Sequence, residues 1–475
     1  MTKILLIYPN IVESPKDISL GLATISALLK KHNHKVQLLD STFHKITEQE
    51  IKHKLKTFKP DLVGITAATN DLHYAIHLCK QIKNINKQIN NKNIPIICGG
   101  YHATIAPEDI IKQDCFDMVC IGEGEEPILE LANSIGKGKF NTNIKNIWFK
   151  VGENKVKRNS LRPLQQNLDK LPFPDRDLFN YKHYLNYNKG IATLIASKGC
   201  PFGCAYCINN FLLKKYKKLG KYLRFRTADS IIKEIKQIKN KFGGMIKEIE
   251  FYDDTFTLNK TLVKEFSEKY PKQIGIPFNI NIRAGSVTKQ DLQHLKNAGC
   301  YRVSIGIESG DEFIRNKIMK RNQTDKQIIN TFMWAKEVGL QTYSFNMVGL
   351  PHETKKTIRA TIELNKKCKP DFVGVSIFNA YKGTELYTLC EKNNWLIKDK
   401  TAKSYFQSTN IKLPTISIKE LKKIRDRFGF EVYKESRPIR AYLDLFDKSF
   451  IKIPGYLKAR SLITKLGMKK LLKKL

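Results

Sequence analysis

Cys200, Cys204 and Cys207 lie in the run Ser197-Lys198-Gly199-Cys200-Pro201-Phe202-Gly203-Cys204-Ala205-Tyr206-Cys207, a C-x3-C-x2-C spacing. Three thiols this close, on a loop containing Gly and Pro, can converge on one metal centre. Structural zinc takes four ligands, usually as two separated pairs. An ordinary iron–sulfur cluster also takes four thiolates. No further cysteine or histidine follows here at ligand spacing. A [4Fe–4S] cluster held by three cysteines keeps one iron open, so the spacing points to reaction chemistry rather than a structural staple. Free cysteines also serve as small hydrophobes, but these three stand in a polar loop.

Something must position that loop. It follows directly on Ala192–Ala196, which reads as a strand. Five more strand patterns follow, at Glu248–Tyr252, Phe278–Ile282, Arg302–Ile307, Thr342–Val348 and Phe372–Ile377. Helix patterns separate them, at Ser230–Lys241, Lys289–Asn297, Asp325–Val338 and Lys355–Lys367. Six βα units over residues 189–400 predict a partial parallel barrel, whose ligand loops sit at the strand carboxyl ends. Polar residues gather there: Asp253-Asp254, Arg283, Glu308-Ser309 and Asn346, with Glu353-Thr354 opening the next helix.

Residues 1–140 alternate in the same way. Strand patterns run over Ile4–Tyr8, Val36–Leu39, Asp61–Thr66, Ile94–Cys98 and Met118–Ile121, with helices such as Leu20–Lys31 and Asp71–Lys83 between them. This predicts a Rossmann-like, doubly wound parallel sheet. Such sheets bind ligands beyond their strand carboxyl ends, which here carry Thr66 and Gly99-Gly100. Residues 141–188 break the alternation with a hairpin, Asn146–Lys150 and Val156–Arg158, and the run Leu171-Pro172-Phe173-Pro174. Two prolines so close exclude an ordinary helix, so the segment reads as a linker. Residues 401–475 read as a helical tail.

The cysteine loop resembles the signature of the radical S-adenosylmethionine (SAM) enzymes. In that family the open iron chelates SAM, and one electron cleaves SAM to methionine and a 5′-deoxyadenosyl radical. The resemblance implies that Cys200, Cys204 and Cys207 hold the cluster. It places Asp254, with Asp253 beside it, at the SAM ammonium, and Arg283 at the SAM carboxylate. Glu308 and Ser309 match ribose or carboxylate contacts. The Asn346 strand end and Tyr206 match positions against adenine. The first domain is similar to the cobalamin-binding domains attached to such enzymes, where Thr66, Gly99 and Gly100 would line the slot for the nucleotide tail. The run Gly122-Glu123-Gly124-Glu125 is typical of those domains too. The sequence departs from many cobalamin domains in lacking D-x-H-x-x-G after the first strand: Tyr8-Pro9-Asn10 leads into Ile11-Val12-Glu13. His102, after the Gly pair, reads as loop surface rather than a ligand. The resemblance spans roughly residues 1–400, and only the cysteine loop is highly specific.

The chemistry implied is a radical SAM reaction shared with cobalamin, with methylation of an unactivated carbon as the leading outcome. An external one-electron reductant of flavodoxin or ferredoxin type would feed it. One rival is cobalamin-dependent radical cyclisation or rearrangement without methyl transfer. Another is a methylthiotransferase with a second cluster drawn from Cys79, Cys98, Cys115 and Cys120. A cobalamin carrier without catalysis leaves the cysteine loop unexplained.

Ten cysteines, otherwise scattered in apolar segments, do not form a secreted disulfide framework. The amino-terminal run lacks the form of a signal peptide, and no apolar run reaches 18 residues. A cytoplasmic home is expected. The formal net charge of +38 can attract nucleic acid or anionic lipid, or can reflect a Lys-rich composition throughout. No helix-turn-helix, zinc-finger or RRM pattern supports a nucleic-acid partner. From Lys448 onward there are nine Lys or Arg and no Asp or Glu, and Met468, Leu471, Leu472 and Leu475 share one helical face. That segment, 448–475, reads either as a peripheral membrane contact suited to a lipid-like substrate, or as a helix packed on the barrel.

Overall fold

The computed structural model describes residues 1–11, 17–91, 93–152, 155–397 and 408–450. They form two compact units. The first comprises Met1–Phe202, Cys207–Phe278 and Tyr381–Thr384, and the second Gly203–Tyr206, Asn279–Ala380 and the described residues from Glu385 onward.

The first unit opens with β1 (Lys3–Tyr8), β2 (Lys35–Asp40), β3 (Leu62–Thr66), β4 (Ile96–Gly99), β5 (Met118–Cys120), β6 (Ile147–Lys150) and β7 (Val156–Arg158). They form one sheet in the order β2-β1-β3-β4-β5-β6-β7. The first five are parallel. Ile4, Leu5, Leu6 and Ile7 are all buried, as an unbroken apolar strand covered on both faces requires. The first two connecting helices start on side-chain caps: Ser19 accepts from Leu22 N–H, and Thr47 forms a capping box with Glu50. The hairpin expected in a linker instead extends this sheet. β6 pairs antiparallel with β5, Phe149 opposite Met118, and occupies what would otherwise be an open edge.

The second layer system is the predicted half-barrel. β8 (Ile191–Leu194) is followed by a ribbon that the sequence did not announce, β9 (Ser197–Lys198) against β10 (Arg224–Phe225). Then come β11 (Glu248–Phe251), β12 (Phe278–Ile282), β13 (Cys300–Glu308), β14 (Gln341–Val348) and β15 (Phe372–Ile377). The sheet order is β15-β14-β13-β12-β11-β8. β8 with β11, β13 with β14 and β14 with β15 run parallel. In the first unit, Arg176 from the join reaches buried Glu234 at 2.8 Å and the Thr193 carbonyl at 3.0 Å. This pins the join to β8.

The tail contains the helices Ile418–Tyr433 and Pro438–Phe450. Leu421, Phe428 and Val432 pack into a core with Val348, Leu350 and Ile377 of the second unit. The basic segment from residue 451 onward lies outside the described residues. Among the described residues no helix is long and apolar enough to cross a membrane.

Candidate functional site

The cysteine run begins where β8 turns into β9. Asp253, just past β11, is buried and accepts from the Ala196 N–H at 3.0 Å and from the Ser197 hydroxyl. Its carboxyl is pushed up to about 6 by burial, in spite of these bonds. Asp253 therefore fixes the turn that launches the loop. Next comes Gly199, at φ +92°, where a Cβ would stand 2.5 Å from the Tyr222 carbonyl oxygen. Only glycine fits so close a backbone approach at positive φ.

Cys200 and Cys207 are half-buried members of the first unit. Asn209, in the first turn of the helix Ile208–Lys215, donates through Nδ2 to Cys207 Sγ at 3.6 Å. It also hydrogen bonds Asp254, and the Tyr222 hydroxyl donates to Asn209 Oδ1 at 2.6 Å. Crowding by protein raises the Asp254 carboxyl above its ordinary range, although Asn209 opposes this.

Asp254 opens onto a cavity of about 580 Å³. Thr66, Gly99 and Gly100 line the same cavity from the ends of β3 and β4, and Leu171–Pro174 of the join form another wall. Gly100 sits at φ +95°, and a Cβ there would lie 2.6 Å from Thr66 Oγ1 and 2.9 Å from the Ala67 carbonyl oxygen. At Gly100, therefore, no side chain fits and the backbone stays bare. The walls meet through ion pairs. Lys198 reaches Glu125 at 2.6 Å, and Arg224 holds both oxygens of Glu123 at 2.7 and 3.0 Å. Against the cost of burial, Arg224 and Lys198 keep the Glu123 carboxyl below its ordinary range. The Gly-Glu-Gly-Glu run is thus a clamp onto the β9–β10 ribbon.

One expectation is corrected. His102 is buried, not loop surface: the short helix Tyr101–Ile105 turns it inward, with Nδ1 3.1 Å from Thr69 Oγ1 and Nε2 3.6 Å from Asp109.

In the second unit, Cys204 is buried, and Arg283 Nη1 donates to its sulfur at 3.6 Å. Arg283 also donates to the Arg321 carbonyl. Burial and the neighbouring Arg321 hold the Arg283 guanidinium below its ordinary range. Arg321, itself buried, binds the Tyr206 hydroxyl at 2.5 Å and the Gly306 carbonyl and Gln323 Oε1, both at 2.8 Å. Glu308 follows a bulge in β13 at φ +63° and lies 3.5 Å from Arg321. Its carboxyl is raised by burial in spite of the two arginines.

Cys204, Tyr206, Arg283 and Glu308 therefore form one polar network. Ser309 and Asn346 stand apart from it. Ser309 is fully buried and accepts from the Asp311 N–H. The Asn346 side chain points to the helix layer, where Asn365 donates to it at 2.7 Å. Only its backbone remains for a ligand.

Sequence reasoning missed Asn209, Tyr222, Lys198, Arg224 and Arg321. Two of them were within reach: Lys198 is inside the cysteine run and Asn209 is two residues past it. Arg321 had no signal. Among the described residues no three His, Cys, Asp or Glu side chains are already gathered as a metal site. The cluster assignment therefore stands on spacing, on the hydrogen-bond donors at Cys204 and Cys207, and on kinship.

The profile of the radical SAM superfamily matches residues 194–364, and that of the B12 binding domain residues 16–132. An uncharacterised methyltransferase of Pyrococcus horikoshii is 32% identical over 403 residues, 83% of this chain and 84% of that protein. The anaerobic magnesium-protoporphyrin IX monomethyl ester cyclase of Rubrivivax gelatinosus is 24% identical, covering 81% of this chain and 69% of that one. Among solved structures, the radical SAM methyltransferase TsrM of Kitasatospora setae, with tryptophan substrate and a SAM analogue bound, superposes with a TM-score of 0.69. It is 18% identical, with 85% of this chain and 78% of that chain covered. The cobalamin-dependent radical SAM enzyme OxsB with aqua-cobalamin bound gives a TM-score of 0.73 at 16% identity, covering 95% and 72%. The two profiles and the 32% relative define the class: the chain belongs to the cobalamin-binding radical SAM enzymes. Its cofactors are a [4Fe–4S] cluster, SAM and cobalamin.

Proposed function

We propose that the chain is a cobalamin-dependent methyltransferase acting on an unactivated carbon of a small-molecule substrate. The observation that carries this reading is the shared cavity. Thr66, Gly99 and Gly100, suited to a cobalamin tail, and Asp254, suited to a SAM ammonium, line one space. Cys200, Cys204 and Cys207 would hold the cluster, and bound together the three cofactors supply one-electron and methyl-transfer chemistry.

The chain's own residues do the positioning. Asp254, held by Asn209, presents a carboxylate to the cavity. In the second unit, Arg283 donates to the Cys204 sulfur, and Arg321 fixes Tyr206. Glu308 sets its carboxyl 3.5 Å from the Arg321 guanidinium. The relative from Pyrococcus horikoshii, described as a methyltransferase, and the phosphonate methyltransferase of Streptomyces wedmorensis, 22% identical over 74% of this chain, favour methylation.

The test is anaerobic reconstitution with iron, sulfide and cobalamin, followed by reduction with excess SAM. Wild-type protein should hold about four irons per chain and release 5′-deoxyadenosine and S-adenosylhomocysteine. Cys204→Ala should lose both the cluster absorbance and 5′-deoxyadenosine. Retained reductive cleavage in that variant would refute the cluster assignment. Release of 5′-deoxyadenosine without S-adenosylhomocysteine would favour cyclisation or rearrangement over methylation.

A further inference from the structure

We infer that Asn209 is a positioning residue that ties the sulfur of Cys207 to the cavity wall and tunes the cluster from outside its ligand set. The inference rests on the cluster assignment above. Asn209 is buried, and its carboxamide offers two donors and one acceptor. The Asp254 carboxylate only accepts, so the amide nitrogen must face it. That nitrogen is also 3.6 Å from Cys207 Sγ, while Oδ1 meets the Tyr222 hydroxyl at 2.6 Å. The carboxylate and the sulfur select this amide orientation, and the Tyr222 hydroxyl, able to donate or accept, fits it by donating to Oδ1. The reverse one would set an oxygen against both a carboxylate and a thiolate.

The anchor of this amide is itself braced. Tyr222 stacks on Tyr216, with ring centroids 6.4 Å apart and planes at 13°, and its backbone packs against Gly199. Tyr222 and Asn209 both line the cavity. Cys207 stands at the N-cap of the helix that carries Asn209, yet its sulfur does not cap that helix. The Asn209 N–H aimed at the sulfur is thus a separate provision of the fold.

An N–H donated to a cluster thiolate draws off negative charge, which favours the reduced, more negative cluster and raises its potential. One amide therefore orients a ligand-binding carboxylate and sets how readily the cluster accepts an electron.

The experiment compares reconstituted wild type, Asn209→Leu and Tyr222→Phe in redox titrations followed by electron paramagnetic resonance, with iron counted in each. At unchanged iron content, Asn209→Leu should show a lower midpoint. A tenfold smaller reduced-to-oxidised ratio at fixed potential corresponds to about 59 mV for a one-electron couple. Tyr222→Phe keeps the amide but frees it, so its midpoint should fall by less. An unchanged midpoint in Asn209→Leu with full iron overturns the inference. If that variant loses its iron, Tyr222→Phe decides, and an unshifted midpoint there is equally fatal. Failure of the wild type to take up iron would instead refute the cluster assignment.

Discussion

Arg321 shows how much of the site depends on a single buried side chain. It satisfies Tyr206, Gly306, Gln323 and Glu308 at once. Removing one partner of a buried ion pair costs about 3 kcal/mol, because the other charge is left uncompensated. Arg321→Met should therefore lose about 3 kcal/mol in urea unfolding, and adding Glu308→Gln should recover part of it. If the double variant is no more stable than the single, the pairing argument fails. Glu353 makes a pH prediction. It is fully buried, accepts from the N–H groups of Gly349 and Leu350, and burial pushes its carboxyl up to about 8 from 4.5. The folded state then holds the proton more tightly than the unfolded chain. Its contribution is fully present below pH 4.5 and is lost as pH rises towards 8, at up to about 1.4 kcal/mol per pH unit. Glu353→Gln should flatten that decline, which urea midpoints at pH 5 and pH 8.5 would reveal. Parallel curves for the two proteins would exclude Glu353 as its source.

At the scale of elements, the loops after β3 and β4 carry the cofactor prediction. Gly100→Val would press its Cβ to 2.6 Å from Thr66 Oγ1 and 2.9 Å from the Ala67 carbonyl oxygen at a positive φ, so this loop must shift. The expected result is a folded protein that no longer retains cobalamin on a desalting column. Normal retention would move the ligand away from this slot. Strand and helix positions were legible because their apolar runs and periodicity are local properties of the chain. The β9–β10 ribbon was not: Ser197-Lys198 and Arg224-Phe225 are too short for any period, and they pair across the whole cysteine loop. The hairpin at 147–158 was legible as a hairpin, but its docking on β5 depends on which edge of the sheet is left open.

At the scale of the whole molecule, the charge of +38 and the basic run from Lys448 raise the question of an anionic surface. Liposome flotation of the full chain and of a chain ending before residue 448 tests this, using vesicles rich in anionic lipid. Loss of recovery on truncation would support peripheral docking, and equal recovery would sink it.

The sequence by itself determined the βα order, the three-cysteine spacing, and the polar residues at successive strand ends. These are short-range features: three cysteines within eight residues stay neighbours whatever the fold. It could not determine which of those polar residues face a ligand. Asp253 stood beside the expected ammonium contact, yet its carboxyl closes the turn at Ala196 and Ser197; the Asn346 side chain faces the helix layer, which leaves its backbone, the part the resemblance set against adenine. Tyr222 and Asn209 in the first unit and Arg321 in the second carried no motif, yet each binds polar partners within its own unit. Whether a polar side chain is offered to a ligand or spent inside the protein depends on which buried groups still need a partner. Only the packed tertiary structure decides that.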